Sequence, residues 1–200
     1  MSDRNPRADD AHRAFDSAGA FLKGHFVYTS GRHGADYLEK FRILEDPQAT
    51  TDLAAMIVER FRPLGPELVA GPTTGGTILA YEVARQLGVD AVYVERGERG
   101  GRVLRRGFEI LPGTRVLVVD DVVTTGGSVA ETQACIANAG GVVIGIGVLA
   151  DRTAGRVATD VPFLACLTVD FPSYWPDACP LCAAGIPTAP PRGSGKKVPA

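Results

Sequence analysis

The chain is poor in lysine, histidine, tryptophan and cysteine, and its charges nearly cancel. Lysine occurs only at 23, 40, 196 and 197, and 21 basic residues face 23 acidic ones, for a net charge of −2. A protein whose main task is to coat nucleic acid or an anionic membrane is excluded by that balance. Outside one arginine-rich segment there is no basic stripe with interleaved aromatics to receive a nucleic acid. The cysteines, at 135, 166, 179 and 182, are too few and too unevenly placed for a disulfide framework in 200 residues, so a reducing cytoplasm is expected. Long apolar runs are missing too: the longest, 141–150, is too short and too rich in glycine to cross a bilayer. The opening MSDRNPRADD has no apolar segment after it, so no secretory signal is expected.

With 45% hydrophobic and 22% charged residues, the composition suits a single globular domain spanning 1–200. Residues 1–8 and the Pro/Gly/Ser/Lys-rich 188–200 carry no packing pattern and are expected to be mobile tails. Between them, helical and strand patterns alternate. Phe15, Ala18 and Leu22 give 9–23 a helical stripe, and 47–61 carries another through Leu53, Met56, Ile57 and Phe61. Short strand-like pieces at 25–28 and 35–39 flank a turn at 30–34. Strands are predicted at 68–70, 91–94, 116–119 and 142–150, with helices at 77–87, stopped by Gly88, and at 128–138. This rhythm predicts an α/β fold, a mostly parallel twisted sheet flanked by helices, with its ligand at the carboxyl ends of the strands.

The segment 116–129, VLVVDDVVTTGGSV, carries the most chemistry. An apolar strand delivers Asp120 and Asp121, and Thr124-Thr125-Gly126-Gly127-Ser128 then opens a helix. Glycines let the backbone approach a ligand closely, free amides at a helix start receive phosphate, and the hydroxyls add donors. Acids at a strand end suit ribose hydroxyls or the water shell of a metal. Phosphate beside sugar-binding acids points to a sugar phosphate. The plainer alternative is a turn whose acids only cap amides. Neither a P-loop nor a Rossmann fingerprint is present.

This segment resembles the phosphoribosyl-pyrophosphate (PRPP) loop of the type I phosphoribosyltransferases. The order of HFVYTSG at 25–31 with Tyr37 nearby, Gly71-Pro72, an arginine-rich segment, 120–128 and Leu149-Ala150-Asp151-Arg152 resembles the orotate branch of that family. The resemblance implies a small N-terminal hood on the sheet, transfer of the PRPP phosphoribosyl group to orotate in pyrimidine biosynthesis, Mg2+ carried mainly by substrate and water, and a homodimer. It also implies roles. Asp120 and Asp121 would hold the ribose hydroxyls, and Val122, Val123, Thr124, Thr125, Gly126, Gly127 and Ser128 would surround the PRPP 5′-phosphate end. Thr73, Thr74 and Gly75 would cradle pyrophosphate, through a cis peptide in this superfamily. Tyr37, Leu38, Thr124 and Arg152 would meet orotate. A planar guanidinium at Arg152 can pair bidentately with a carboxylate that neutral bases lack; its alternative is a surface ion pair with Asp151 or Asp170.

Residues 95–107, ERGERGGRVLRRG, read as an electropositive lid closing over departing pyrophosphate, with Arg96 and Arg99 as its catalytic cations; a solvated hairpin is the alternative. Here the chain departs from the family: arginines stand where lysines are usual, and Gly101 stands at the histidine position. Arginine stabilises charge but donates no proton near neutral pH. Thr29 replaces a lysine before Ser-Gly, and Thr74-Gly75-Gly76 replaces Tyr-Lys-Gly. No protein-held metal site is expected. Cys179-Pro180-Leu181-Cys182 is a lone CxxC, and His12, His25 and His33 lie far upstream, which leaves packed thiols, a reversible disulfide or a zinc shared across a dimer. Two other functions fit less well: a purine-base transferase, whose substrate offers Arg152 no carboxylate, and a PRPP-sensing regulator without catalysis.

Overall fold

The computed structural model describes residues 7–98 and 100–189. Helix α1 (Ala8–Ser17) leads into a two-stranded antiparallel hairpin, β1 (Phe21–Val27) and β2 (His33–Leu38), which forms the hood. The helix predicted to reach Lys23 ends earlier, because Gly19 takes a positive φ and Phe21 to Lys23 pair with Leu38 to Asp36 across the hairpin. A short α2 (Phe41–Leu44) precedes α3 (Pro47–Phe61), which begins where predicted: Asp46 accepts hydrogen bonds from the amides of Gln48 and Ala49, and Pro47 occupies the first turn.

The main sheet is then built from β3 (Leu68–Pro72), α4 (Gly75–Leu87), β4 (Asp90–Arg96), β5 (Arg102–Leu104), β6 (Arg115–Val123), α5 (Gly127–Asn138), β7 (Val142–Asp151) and β8 (Phe163–Thr168), with a one-turn α6 (Pro180–Ala183) near the end. Its order is β5-β4-β3-β6-β7-β8, parallel except for the β4–β5 hairpin. Strand β8 was not anticipated; it adds an edge beside β7. The segment 1–6 and 190–200 of the expected tails lies outside the described residues. Ala8 is helical, and the Ala189 amide donates to the His25 carbonyl, so neither expected tail extends over its full range.

Period-two alternation divides β6 between two cores. Leu117 and Val119 pack with α1, α3 and α4, while Val116 and Val118 pack with α5 on the other face. That is why Val116 to Val119 read as an uninterrupted apolar run: a parallel strand covered on both faces has no wet side. The strand order reverses at β3 and β6, since the chain proceeds from β3 outward to β4 and from β6 outward to β7. The crevice at their carboxyl ends is the switch point where such sheets bind ligands.

Candidate active site

Both segments singled out for PRPP flank this crevice. The turn Thr73-Thr74 leaves β3 through a cis peptide, as the family resemblance implied, and enters α4 at Gly75 rather than at Thr77. From β6 the chain reaches α5 through Thr124 to Gly126, with Gly126 at φ +83° as N-cap. The N-cap residues of α4 and α5, Thr74 and Gly126, offer no capping side chain; at α5 the Thr125 hydroxyl accepts from the Gly127 amide at a long 3.5 Å. Two helix starts without an N-cap side chain therefore face one crevice, an arrangement suited to two anionic groups. The two loops also lie in close contact. A Cβ at Gly75 would overlap the Asp121 carboxylate, and one at Gly71 would overlap the Gly76 carbonyl.

Asp120 and Asp121 are 5% and 3% exposed. They do not cap helix amides: each accepts from the next strand amide, Asp120 from Asp121 at 2.8 Å and Asp121 from Val122 at 2.6 Å. Being neighbours on a strand, they diverge. Asp121 pairs with the Lys40 ammonium at 2.7 Å, and Asp120 takes stabilisation from the Ser128 hydroxyl. Burial, then the Asp121 charge, raises Asp120 well above the ordinary carboxylate range, against the opposing pull of its hydrogen bond, Lys40 and Ser128. Lys40, one of only four lysines, was not singled out from sequence; its rarity was the available signal.

Arg152 stands at the end of β7 with its amide donating to the Val123 carbonyl at 2.8 Å. Buried Asp151 accepts from the amides of Thr153 at 2.6 Å and Gly155 at 2.9 Å, fixing the turn that aims Arg152. The guanidinium carbon lies 5.0 Å from the Tyr28 ring centre and 5.5 Å from that of Phe171. Its Nε is buried with no hydrogen-bond partner, and among the described residues it makes no ion pair, with Asp151, Asp170 or any other acid. Aromatic faces thus hold a cation whose polar edge is left for a ligand. Tyr28 donates to the Asp36 carbonyl, and burial raises its phenol above the ordinary value in spite of Arg152. Tyr37 stacks obliquely on Phe26, with centres 5.2 Å apart. Leu38 is buried in the core, so its side chain has no open face for a base; only its main chain is left for that role.

The arginine-rich segment folds on itself as a hairpin, with Glu95 opposite Val103 and Arg96 opposite Arg102. Arg96 is exposed at its end, and Arg99 lies outside the described residues. Arg106 pairs with Glu95 at 3.3 Å and Arg105 with Glu98 at 3.7 Å. Arg102 points inward instead: it donates to the Ser128 hydroxyl at 3.0 Å and lies 3.6 Å from Glu131, tying the hairpin to the start of α5. Composition alone did not distinguish it from its four neighbours.

Residues 42–176 match the phosphoribosyl transferase domain family. An orotate phosphoribosyltransferase of Desulforamulus reducens is 46% identical, over 88% of this chain and 92% of that one. Another from Pelotomaculum thermopropionicum is 47% identical over 94% and 98%. The chain belongs to the orotate phosphoribosyltransferase family. The solved orotate phosphoribosyltransferase of Aeropyrum pernix superposes with a TM-score of 0.63 at 30% identity, covering 78% of this chain and 92% of that one. An adenine phosphoribosyltransferase from Thermoanaerobacter pseudethanolicus reaches 0.62 at 21%, covering 77% and 99%. That second likeness is one of fold alone, so in the orotate phosphoribosyltransferase fold the base must be read from the site. No helix among the described residues is long and apolar enough to cross a membrane.

One expectation is overturned. His25 and His33, set aside as too distant from the CxxC, meet it: the hairpin brings both histidines against Cys179 and Cys182.

Proposed function

We propose that the protein transfers the phosphoribosyl group of PRPP to orotate, giving orotidine 5′-monophosphate and pyrophosphate. The observation that carries the choice of base is Arg152, a stacked guanidinium without an acid partner beside the phosphate loop. Neutral purine bases have no carboxylate for it, and a buried polar edge left unmatched discriminates strongly between substrates.

In this reading the uncapped start of α5, with Thr124, Thr125 and Ser128, receives the 5′-phosphate, while Asp120 and Asp121 accept the ribose hydroxyls. The turn at Thr73, Thr74 and Gly75 takes pyrophosphate on main-chain amides. The paired acids offer hard oxygen donors, which fit an Mg2+ ion held mainly by substrate and water; that ion supplies charge neutralisation on the pyrophosphate. Arg152 and Tyr37 orient orotate so that its ring nitrogen faces C1′. The C1′–O bond to pyrophosphate breaks with its electron pair leaving on oxygen as the ring nitrogen, giving up its proton to water, forms the new C1′–N bond. Positive charge grows on the ribose, and buried carboxylates beside it are suited to stabilise that charge. Arg96, at the end of β4, would meet the negative charge on the leaving group as a fixed cation, not as a proton donor, and the family resemblance gives Arg99 the same role. We further propose a homodimer. Ile78 and Tyr81, three apart and so on one face of α4, are 40% and 68% exposed.

The test is turnover of purified protein with PRPP, Mg2+ and orotate, with uracil and hypoxanthine as comparison bases. Arg152→Ala is expected to cost about 2–3 kcal/mol, roughly 30- to 150-fold in kcat/KM for orotate, with the PRPP KM nearly unchanged. Equal losses for both substrates would remove Arg152 from base recognition.

A further inference from the structure

Four potential metal-ligand atoms converge outside the active site. His25 Nε2, His33 Nδ1, Cys179 Sγ and Cys182 Sγ all lie within 4.8 Å of one another. Cys179 and Cys182 sulfurs are each 3.6 Å from His25 Nε2, Cys182 is 3.3 Å from His33 Nδ1, and the two nitrogens are 2.9 Å apart. Zinc bonds of about 2.3 Å to sulfur and about 2.0–2.1 Å to nitrogen, set tetrahedrally, place sulfur and nitrogen roughly 3.6 Å apart and two nitrogens roughly 3.3 Å apart. Four of the six edges of that tetrahedron are already within about 0.4 Å of these spacings, and the remaining two are within 4.8 Å.

Hydrogen bonding points the same way. The other ring nitrogen of His25, Nδ1, is 2.6 Å from the Ile186 carbonyl, an acceptor only, so it carries the proton and the Nε2 lone pair faces the cluster. That single lone pair is approached by His33, Cys179 and Cys182 together, yet it can satisfy only one donor. A cation at the centre would satisfy all four groups at once. His25, His33 and Cys179 are buried, and Cys182 closes the rim.

We propose that the chain holds a structural zinc ion in an intrachain Cys2His2 site formed by His25, His33, Cys179 and Cys182. Two thiolates with two imidazoles select zinc among abundant cations, and four protein ligands leave no open position for catalysis. Its work is mechanical. One histidine comes from each side of the hood hairpin, and both cysteines come from a segment about 150 residues later. The same junction carries the His33–Tyr174 bridge, with both hydrogen bonds at 2.8 Å, a bond from Arg32 Nε to the Ser173 hydroxyl at 2.9 Å, and the Arg32 guanidinium 5.2 Å from the Trp175 ring centre. The hood also carries Tyr28, which stacks on Arg152, so the ion clasps the element that covers the base-recognising arginine.

The experiment is metal analysis of the full chain purified without a histidine tag or chelator, followed by cobalt replacement. We expect about one zinc per chain, and tetrahedral d–d bands with a thiolate charge-transfer band in the Co2+ form. Cys182→Ser should lose at least ten-fold in zinc affinity; a strong chelator should lower the Tm of the native protein, and added zinc should restore it. Should Cys182→Ser fail to fold, the stoichiometry and cobalt spectrum of the native chain decide alone. Metal-free protein with free thiols and a Tm indifferent to zinc would overturn the proposal. So would a Cys179–Cys182 disulfide found by mass in the protein as isolated.

Discussion

Replacing Asp120 by Asn separates what this carboxylate costs the fold from what it gives the site. Burial and the charge of Asp121 raise it from an ordinary 3.8 to about 7. Between those two values the folded protein holds a proton that the unfolded chain has released, so stability falls as pH rises through that window. Each pH unit of elevation corresponds to about 1.4 kcal/mol, which sets a ceiling of about 4 kcal/mol on the cost of the ionised form above neutrality. Asn still occupies the same buried place and accepts the Asp121 amide, and Lys40 already offsets part of the charge. A gain of about 1–2 kcal/mol at pH 8 is therefore expected, or roughly 2–8 °C in Tm for a chain of this size. At pH 5 the native Asp120 is mostly protonated but the unfolded chain has already ionised there, so about 40% of the pH 8 gain should remain; the two proteins should converge only below about pH 4. Activity should move the other way. Losing a charged acceptor for a ribose hydroxyl costs about 1.5–3 kcal/mol, or roughly 10- to 150-fold in kcat/KM for PRPP. The assay is paired thermal melts of both proteins from pH 5 to 8, with initial rates at saturating orotate. A Tm difference that stays flat across this range, or a less stable Asn variant at pH 8, would refute the burial argument.

Two further predictions concern the crevice and the surface. Gly75→Ala places a methyl group against the Asp121 carboxylate, which must shift away from Lys40; PRPP affinity should drop at least ten-fold by calorimetry while orotate-independent stability falls by only about 1–2 kcal/mol. An unchanged PRPP affinity would show that the two loops do not act together. Tyr81→Glu sets a charge on the exposed face of α4, and sedimentation should show the proposed dimer shifting toward monomer; an unshifted dimer would place the interface elsewhere.

Much of the architecture is local in origin and so was legible in the chain. The run Val116 to Val119 had to be a strand covered on both faces, Asp46-Pro47 had to begin a helix, and Gly126 could supply the positive φ that turns β6 into α5. These follow from side-chain periodicity and backbone sterics within a few residues. That the two acids, the 124–128 turn and Arg152 stand at strand ends was legible for the same reason: each is defined by neighbours in sequence.

Tertiary structure decided what depends on distant residues. Which of five arginines turns inward is set by the β4–β5 register that places Arg102 beside Ser128, and composition is blind to register. The partnership of Lys40 with Asp121 joins the end of the hood to the centre of the sheet, about 80 residues later in the chain. The grouping of His25 and His33 with Cys179 and Cys182 arises only when the last segment pairs with the hood through Tyr174. The amino-acid order thus determined the elements and the residues able to do chemistry, whereas long-range closure of the chain decided which of them share a site.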